Sequence, residues 1–290
     1  MQIETTNDCT ARCVMCGINE WKKKISGKFM SDSLFFKIAN EVLENKDFVK
    51  KVALYLGNEP LLDKKLEEKI LFFRNGGINV NFSTNASLMN KSRAVSILES
   101  GVNHVNFSFD GLDKQYYESM RKGLSFIEVL GNVLEFINLR NLKHYKTQVR
   151  ISIIKNINYI DDIPSIVDFW KRFLDFQNGD SIRIDELSID LQQSGKIAHD
   201  IEYDKEQQRI YNAKNKPCYT LWNTMGIKAD GSIALCCIDQ CRVYKLGNLN
   251  ETSIKENWQN NKIRESFKEI HIKSGRGGVE FCKNCIAWIN

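Results

Sequence analysis

The sequence predicts an α/β protein whose parallel sheet curls into all or part of a barrel and is followed by a smaller cysteine-rich unit. Through the first two thirds of the 290-residue chain, short apolar runs alternate with stretches of helical period. Strands that alternate with helices in this way form parallel β/α units. Six of the nine cysteines follow Pro217, and this concentration marks the second unit.

The predicted strands are Gln2–Thr6, Lys51–Leu56, Asn79–Ser83, His104–Phe109, Thr147–Ile154 and Ser181–Ile189. The predicted helices between them are Asp32–Leu43, Lys64–Arg74, Asn90–Leu98, Ile127–Leu139 and Ile160–Phe173. The apolar residues of the first helix have the spacing of one helical face; they are Leu34, Phe35, Ile38 and Val42. In parallel sheets the reactive site gathers at the carboxyl ends of the strands, so we expect the functional residues there.

A polar, charged stretch separates the two units. It runs from about Leu191 to Lys216 and ends at Pro217. We therefore predict a barrel domain over residues 1–195, a linker over 196–216 and the cysteine-rich unit over 217–290. In the second unit, Asp230-Gly231 predicts a hairpin turn between Met225–Ala229 and Ser232–Cys237.

Composition limits the class of protein. The formal net charge is +5 with both signs scattered, which indicates ordinary solubility and does not indicate nucleic-acid binding. The start of the chain has no basic region followed by an apolar one, so we expect no signal peptide. No apolar run approaches the length of a membrane span. Nine cysteines without a secretion signal predict metal ligands and a reducing, cytoplasmic location.

The first motif is a C-x3-C-x2-C triplet, Cys9, Cys13 and Cys16, just past the first predicted strand. Three thiolates at this spacing can hold three corners of a cubic four-iron cluster and leave the fourth iron open for a reagent. The alternatives are three unrelated buried thiols or part of a zinc site, although no fourth ligand lies nearby in the sequence.

Three predicted strands end in polar groups. They are followed by Gly57-Asn58-Glu59-Pro60, by Ser83-Thr84-Asn85 and by Ser108-Phe109-Asp110-Gly111. A carboxylate, amide or hydroxyl at such an end can accept or donate hydrogen bonds to a bound ligand. Each segment alone is also typical of a turn or a helix cap.

Together these motifs resemble the radical S-adenosylmethionine (SAM) superfamily from Gln2 to about Ile154. The resemblance implies a partial (β/α)6 barrel, a SAM-binding four-iron cluster and reductive cleavage of SAM to a 5′-deoxyadenosyl radical. It also implies a reducing electron donor such as flavodoxin or ferredoxin. By resemblance, Gly57, Asn58 and Glu59 face the SAM amino group, and Asn85, Ser108 and Asp110 face its ribose and carboxylate end.

Two arginines, Arg121 and Arg150, are candidate partners for the SAM carboxylate, with a surface or structural role as the alternative. The chain departs from the family pattern at two places. Asn58 replaces the second glycine of the usual Gly-Gly-Glu, and Thr10 stands where asparagine is usual after the first cysteine. Neither position carries a thiolate.

The second cysteine set is Cys218, Cys236, Cys282 and Cys285, a C-x17-C and C-x2-C arrangement. Four such thiolates can enclose a structural zinc or a fully ligated iron–sulfur cluster, and spacing alone does not choose between them. The region resembles the SPASM/twitch domain of radical SAM enzymes. Because the chain ends five residues after Cys285, the resemblance implies the shorter twitch form with one auxiliary four-iron cluster. Two other cysteines, Cys237 and Cys241, are surplus to this set. Cys237 is an alternative to Cys236 as a ligand, although the Gly-x4-Cys spacing favours Cys236, and otherwise both are interpreted as small buried fillers.

The resemblance predicts oxidation of a small hydroxylated metabolite, of the sugar or cyclitol dehydrogenase type, with the auxiliary cluster as electron acceptor. Asp239 is the candidate base, with Asp185 and Glu186 as rivals, and a solvated or turn-capping carboxylate is the alternative for each. The alternative is radical modification of a peptide or protein side chain, although only eight residues precede Cys9 to recruit a peptide. A third hypothesis, a non-catalytic metal-stabilised binding module, predicts no SAM cleavage.

Overall fold

The computed structural model describes residues 1–186, 215–241, 243–283 and 285. Its strands are β1 (Gln2–Ile3), β2 (Lys51–Ala53), β3 (Asn79–Thr84), β4 (His104–Ser108), β5 (Gln148–Lys155), β6 (Ser181–Glu186), β7 (Gly226–Ile227), β8 (Ser232–Ala234) and β9 (Lys245–Asn248). In these residues they form one sheet in the order β6-β5-β4-β3-β2-β1-β7-β8-β9. All six predicted strands are present, several of them shorter than predicted; residues 187–189 of the sixth and most of the predicted linker lie outside the described residues.

The helices of the described residues are α1 (Ile18–Trp21), α2 (Asp32–Glu44), α3 (Leu66–Asn75), α4 (Lys91–Glu99), α5 (Lys114–Met120), α6 (Phe126–Leu142), α7 (Ile163–Lys171), α8 (Thr220–Asn223), α9 (Ile254–Asn260) and α10 (Lys262–Ser274). The five predicted helices correspond to α2, α3, α4, α6 and α7. Helix α2 begins where Ser31 Oγ accepts a hydrogen bond from Leu34 N, which satisfies a backbone donor of the first turn.

Strands β1 to β6 are parallel, as the alternation of strands and helices predicts. Alternate residues such as Val105, Phe107 and Ile151 are fully buried, in the apolar core shared with the helices. The opposite face, here called the inner face, is polar. There Asn106 bridges the strands, donating to Ser83 Oγ and accepting from Ser152 Oγ, each at 2.7 Å.

The second unit extends the same sheet. Strand β7 pairs in parallel with β1, with Gln2 beside Gly226 and Ile3 beside Ile227, and β8 and β9 continue antiparallel. The predicted β7–β8 hairpin is confirmed, and Gly231 in its turn has φ +83°, a left-handed conformation that suits glycine. The six parallel strands therefore form an open, partial barrel, because β1 pairs with β7 rather than with β6. In the described residues, no helix is both long and apolar enough to cross a membrane.

Candidate functional site at the carboxyl ends of the strands

A cavity of about 590 Å³ lies at the carboxyl ends of the parallel strands. Its walls come from the loops after β1 to β4, from the end of β5 and from the loop after β8. The lining residues are Cys9, Cys13, Met15, Cys16, Gly17, Ile18, Glu20, Trp21, Tyr55, Leu56, Gly57, Asn58, Glu59, Ser83, Thr84, Asn85, Ser108, Arg121, Ile154, Cys237 and Ile238. The site therefore lies where the parallel sheet predicts it.

The cysteine triplet forms one wall of the cavity. Burial raises the pKa of Cys9 to about 12 and that of Cys16 to about 11, and it also raises the pKa of Cys13. Such thiols keep their protons until a metal cation replaces them, and a coordinating thiol is deprotonated. Three thiols converging on one cavity suit a cluster with an open iron. In the part of the chain that the structure describes, no three histidine, cysteine or acidic side chains are arranged to hold a single metal ion.

Arg121 is the cation beside this wall. It ends helix α5, lines the cavity and lies within hydrogen-bonding reach of the Cys13 thiol. Asp110 holds it from behind, and the Asp110 carboxylate also accepts from Ile154 N at 2.9 Å. Asp110 is not among the cavity-lining residues, so the structure makes it the support of Arg121. Its contact with SAM stays a prediction.

Glu59 is the buried carboxylate of the cavity. Its oxygens accept hydrogen bonds from Thr84 Oγ1 at 2.7 Å, Asn85 N at 2.8 Å and Leu61 N at 3.1 Å. Burial outweighs these three donors and raises its pKa to about 7. Glu59 thus ties the end of β2 to the end of β3 while lining the cavity, where a ligand ammonium group would stabilise its charged form.

The other predicted SAM contacts are spread over the same wall. Asn85 Nδ2 donates to Thr10 Oγ1 at 3.0 Å and lies 3.5 Å from Cys9 Sγ, so it braces the cysteine loop. Asn58 Oδ1 accepts from Leu56 N at 3.0 Å, which shapes the turn. Ser108 lines the cavity at the end of β4.

Gly57 lies where the side chain of Gln240, from the loop after β8, approaches the backbone closely. A Cβ at this position would come 2.7 Å from Gln240 Oε1 and 3.0 Å from Trp21, so only glycine fits without displacement. Gly57 N also donates to Glu4 Oε2 at 3.4 Å.

Arg150 is not among the residues that line the cavity. It lies near the start of β5 on the inner face, where Nε donates to Ser181 Oγ at 3.0 Å. A contact with the SAM carboxylate would require reaching along the inner face from there, and the predicted role stays untested.

The second cysteine set is also brought together. Burial raises the pKa of Cys282 to about 12, and Cys285 and Cys218 lie close enough to raise it further. Cys236 is half-buried in the loop after β8, and its thiol accepts from Asp239 N at 3.3 Å. The four thiols predicted for the auxiliary site therefore lie in one region of the second unit.

Cys237 is the residue whose importance sequence reasoning missed. Rather than filling the interior, it lines the main cavity beside Ile238 and Tyr55, and its pKa is raised to about 11 by burial and by the neighbouring Cys285 and Cys218. The Cys236-Cys237 doublet was the available signal, because neighbouring residues in a turn point in different directions.

Asp239, the predicted base, is fully buried and does not line the cavity. Its Oδ1 accepts from Val243 N at 2.9 Å and from Tyr244 N at 3.3 Å, which closes the loop that carries Cys236 and Cys237. Its role as a base stays a prediction. Of its rivals, Asp185 pairs with Arg183 on β6, and the side chain of Glu186 lies outside the described residues.

This fold and cysteine-lined cavity define a radical SAM enzyme. The model of the radical SAM superfamily matches residues 3–169, more than half of the chain, and the protein belongs to that superfamily. The model of an iron–sulfur cluster-binding domain, SPASM, matches residues 218–286. The two matches confirm the predicted family and imply SAM and iron–sulfur clusters as cofactors.

Sequence relatives cover only part of the chain. A probable GTP 3′,8-cyclase of Methanococcus maripaludis is 27% identical over 172 residues, 59% of this chain and 54% of that protein. The Fe-coproporphyrin III synthase of Methanosarcina barkeri is 27% identical over 56% of this chain and 38% of that protein. The chain thus spans about half or less of these relatives.

Solved structures resemble nearly the whole chain. Streptococcus suis SuiB aligns with a TM-score of 0.69 at 16% identity, and the alignment covers 98% of this chain and 71% of the SuiB chain. BtrN in complex with AdoMet and 2-DOIA aligns with a TM-score of 0.61 at 16% identity, and the alignment covers 98% of this chain and 91% of the BtrN chain. At this identity the likeness shows the fold of both units.

Proposed function

We propose that the protein oxidises a hydroxyl-bearing carbon of a small metabolite, with an auxiliary cluster in the second unit as electron acceptor. One observation carries this proposal: Cys237 and Ile238, from the loop of the second cysteine set, line the same cavity as Cys9, Cys13 and Cys16. An acceptor on that loop would lie beside a substrate bound in the cavity.

The cofactors supply the radical chemistry. When bound, SAM and its cluster would supply hydrogen-atom abstraction from the substrate carbon, using one electron from an external reductant. The hydroxyl proton would go to a base, and an auxiliary cluster would supply the acceptor for the remaining electron. Cys9, Cys13 and Cys16 would hold the first cluster. Cys218, Cys236, Cys282 and Cys285 would hold the second.

The protein's own side chains would bind SAM, orient the cysteine loop and shield the radical from water. Glu59 offers a carboxylate to the ammonium group of SAM, and Asn85 braces the cysteine loop next to it. The Arg121 guanidinium lies beside the thiolate of Cys13 and offsets part of its charge. Apolar side chains around the cavity, including Met15 and Ile154, keep water from a reactive radical.

The oxidation needs a proton acceptor. Among the described residues, the carboxylates that line the cavity are Glu20 and Glu59. Glu59 is committed to three hydrogen-bond donors of the protein, whereas Asp239 lies behind the loop. Glu20 therefore joins Asp239 as a candidate base, and comparison of Glu20→Gln with Asp239→Asn discriminates between them.

The first test is the iron and acid-labile sulfide content after anaerobic reconstitution. We expect about eight irons per chain, two four-iron clusters, and about four in Cys282→Ala. Cys241→Ala is the matched control, because Cys241 is buried against Ala234 and Ile25 and lies outside the cavity lining. About four irons with one zinc in the wild-type protein would show that the second site holds zinc, which cannot accept the electron, and would contradict the proposed oxidation.

The second test is product analysis. With SAM and a strong reductant, we expect 5′-deoxyadenosine and a ketone in equal amounts from a panel of sugars and cyclitols. Cys282→Ala should still release 5′-deoxyadenosine but yield little ketone. A modified peptide with no oxidised alcohol would support the alternative function. The structures of BtrN in complex with AdoMet and 2-DOIA and of SuiB bound to precursor peptide SuiA guide the two panels.

A further inference from the structure

We propose that the inner face of the barrel carries an anion-binding site, formed by Lys51, Arg150 and Arg183, for a phosphate or carboxylate group of the substrate. The proposal rests on the proposed function for the position of the substrate, and it adds the substrate's chemical class. It predicts an acidic metabolite, such as a phosphorylated or carboxylated sugar, rather than a neutral one.

Strand register places these cations on one face. Asn106 on β4 pairs with Arg150 on β5. Ser152 on β5 pairs with Ser108 on one side and with Arg183 of β6 on the other. Arg150 and Arg183 therefore lie on the same face as Asn106 and Ser152. Residues directly opposite on neighbouring strands point to the same side of a sheet. The hydrogen bond from Arg150 Nε to Ser181 Oγ confirms that direction.

Lys51 joins the group from strand β2. It pairs with Asn79, and the Asn81 side chain, in the orientation that satisfies both of its polar atoms, accepts from Lys51 Nζ at 3.1 Å and donates to Val52 O. Asn81 in turn pairs with His104 of β4. Lys51 therefore points toward the same inner face as His104 and Arg150.

The cations outnumber the carboxylates there. Arg183 Nε contacts Asp185 Oδ1 at 2.6 Å. Among the described residues, no carboxylate lies within ion-pair distance of Lys51 or Arg150. Like charges on one face repel each other, and a bound anion would offset that repulsion.

The surroundings of His104 show the same excess of positive charge. Both of its ring nitrogens are buried without a hydrogen-bond partner among the described residues. Burial, followed by the charges of Arg150 and Lys51, lowers its pKa to about 4, and burial and Arg150 also lower the pKa of Lys51. A neutral imidazole N–H at this place can donate to an anion.

The site lies within one small molecule's length of the cavity. Ile154 lines the cavity, and Arg150 lies four residues earlier on the same strand, about 13 Å at 3.3 Å per residue. Arg150 Nε is turned toward Ser181, its partner on β6, so the substrate has to span that distance. Tyr55 connects the two places, because it lines the cavity and its pKa, raised by burial, is also affected by Cys237, Arg183 and Arg150. An acidic group bound by the cations would leave a substrate hydroxyl near the radical.

Binding to the reconstituted, SAM-loaded enzyme tests the proposal without turnover. Isothermal titration uses inorganic phosphate, a hexose 6-phosphate, a hexuronate and the neutral hexose as probes. We expect an acidic sugar to bind at least tenfold more tightly than the neutral one. Arg150→Gln should weaken that binding about tenfold, whereas Arg172→Gln, an exposed arginine on the outer helix layer, should leave it unchanged.

The two acidic arms identify the group, since preference for the hexose phosphate or for the hexuronate assigns phosphate or carboxylate. Equal binding of acidic and neutral sugars, or unchanged binding in Arg150→Gln and in Arg183→Gln with normal cluster absorbance, would overturn the site. Alcohol oxidation is measured separately. A protein that binds acidic sugars through Arg150 but forms no ketone would reject the oxidative function and keep the anion site.

Discussion

Arg121 and Asp110 form a buried ion pair behind the cysteine loop. Arg121 Nη2 donates to Asp110 Oδ1 at 2.9 Å, and Nε lies 2.7 Å from Oδ2. The two side chains are 7% and 1% exposed, so water screens them little. The pair links the carboxyl end of β4 to the end of α5, and through Arg121 it reaches Cys13.

Asp110→Asn should therefore destabilise the protein strongly. Removing one partner leaves the Arg121 charge buried without compensation, which costs about 3–5 kcal/mol in the free energy of unfolding. Urea denaturation of the apo-protein measures it. Asp168→Asn is the control, because its pair with Lys171 is exposed and is expected to contribute about 0–1 kcal/mol. Similar losses in the two variants would contradict a special role for the buried pair.

Periodicity made the outer layer of the barrel predictable. Leu34, Phe35, Ile38 and Val42 are buried as the pattern of α2 predicts, because an amphipathic helix must bury its apolar stripe. Helix α5 was missed because it is only seven residues long, too short to establish a period. Strand β1 is two residues rather than five; beyond it Glu4 N still donates to Ile227 O, and Thr6 forms an isolated antiparallel bridge with Phe29.

The site was predictable as far as motifs reach. The cysteine triplet, Glu59 and Asn85 share one cavity, as the strand-end rule requires. Tertiary pairing was not predictable. Nothing in local sequence shows that Asp110 supports Arg121, or that Cys237 rather than its neighbour faces the cavity, since both depend on how separate loops meet.

Glu59→Gln should change how stability depends on pH. The pKa of Glu59 rises from 4.5 to about 7 on folding, so the folded protein keeps a proton that the unfolded chain has already released. Its contribution is complete below pH 4.5 and is lost as the pH rises through 7. We expect wild-type apo-protein to lose about 3 kcal/mol more than the variant across this window.

The measurement is urea denaturation of both apo-proteins between pH 4.5 and 7.5 under reducing conditions. The glutamine also loses hydrogen bonds to backbone donors, which lowers stability by a constant amount at every pH. The difference in slope is therefore the readout, and parallel curves would show that Glu59 titrates normally.

His104→Asn should change the pH dependence of stability in the opposite direction to Glu59→Gln. The pKa of His104 is 6.5 in the unfolded chain and about 4 in the folded protein. Between these values the unfolded chain binds a proton that the folded protein does not bind. Its contribution is complete above pH 6.5 and is lost as the pH falls through 4. The variant should lose roughly 2 kcal/mol less than wild type over that window, allowing for partial exposure.

His144→Asn provides the matched control. His144 is exposed and has φ 55°, a left-handed conformation that asparagine adopts readily. Its substitution should leave the pH profile unchanged in phosphate-free buffer. If the two variants gave the same profile, the charge environment inferred at the inner face would be wrong.

Lys228 joins the two units in the interior, and its removal should be rescued by a second change. Lys228 Nζ binds Glu4 Oε2 and donates to Gln240 Oε1 at 2.9 Å, and Gln240 Nε2 donates to the carbonyl of Cys237 at 2.6 Å. Both charged side chains are fully buried. Lys228→Met leaves Glu4 as an uncompensated buried charge, at a cost of about 3–5 kcal/mol.

Glu4→Gln combined with Lys228→Met removes both charges, so the double variant should recover much of that loss. A double-mutant cycle by urea denaturation gives the coupling, expected between about 0.5 and 3 kcal/mol. Iron content after reconstitution adds a second readout, because Gln240 positions the Cys237 backbone. We expect Lys228→Met to lose iron from the second unit first, and additive stabilities with full iron content would contradict the linkage between the two units.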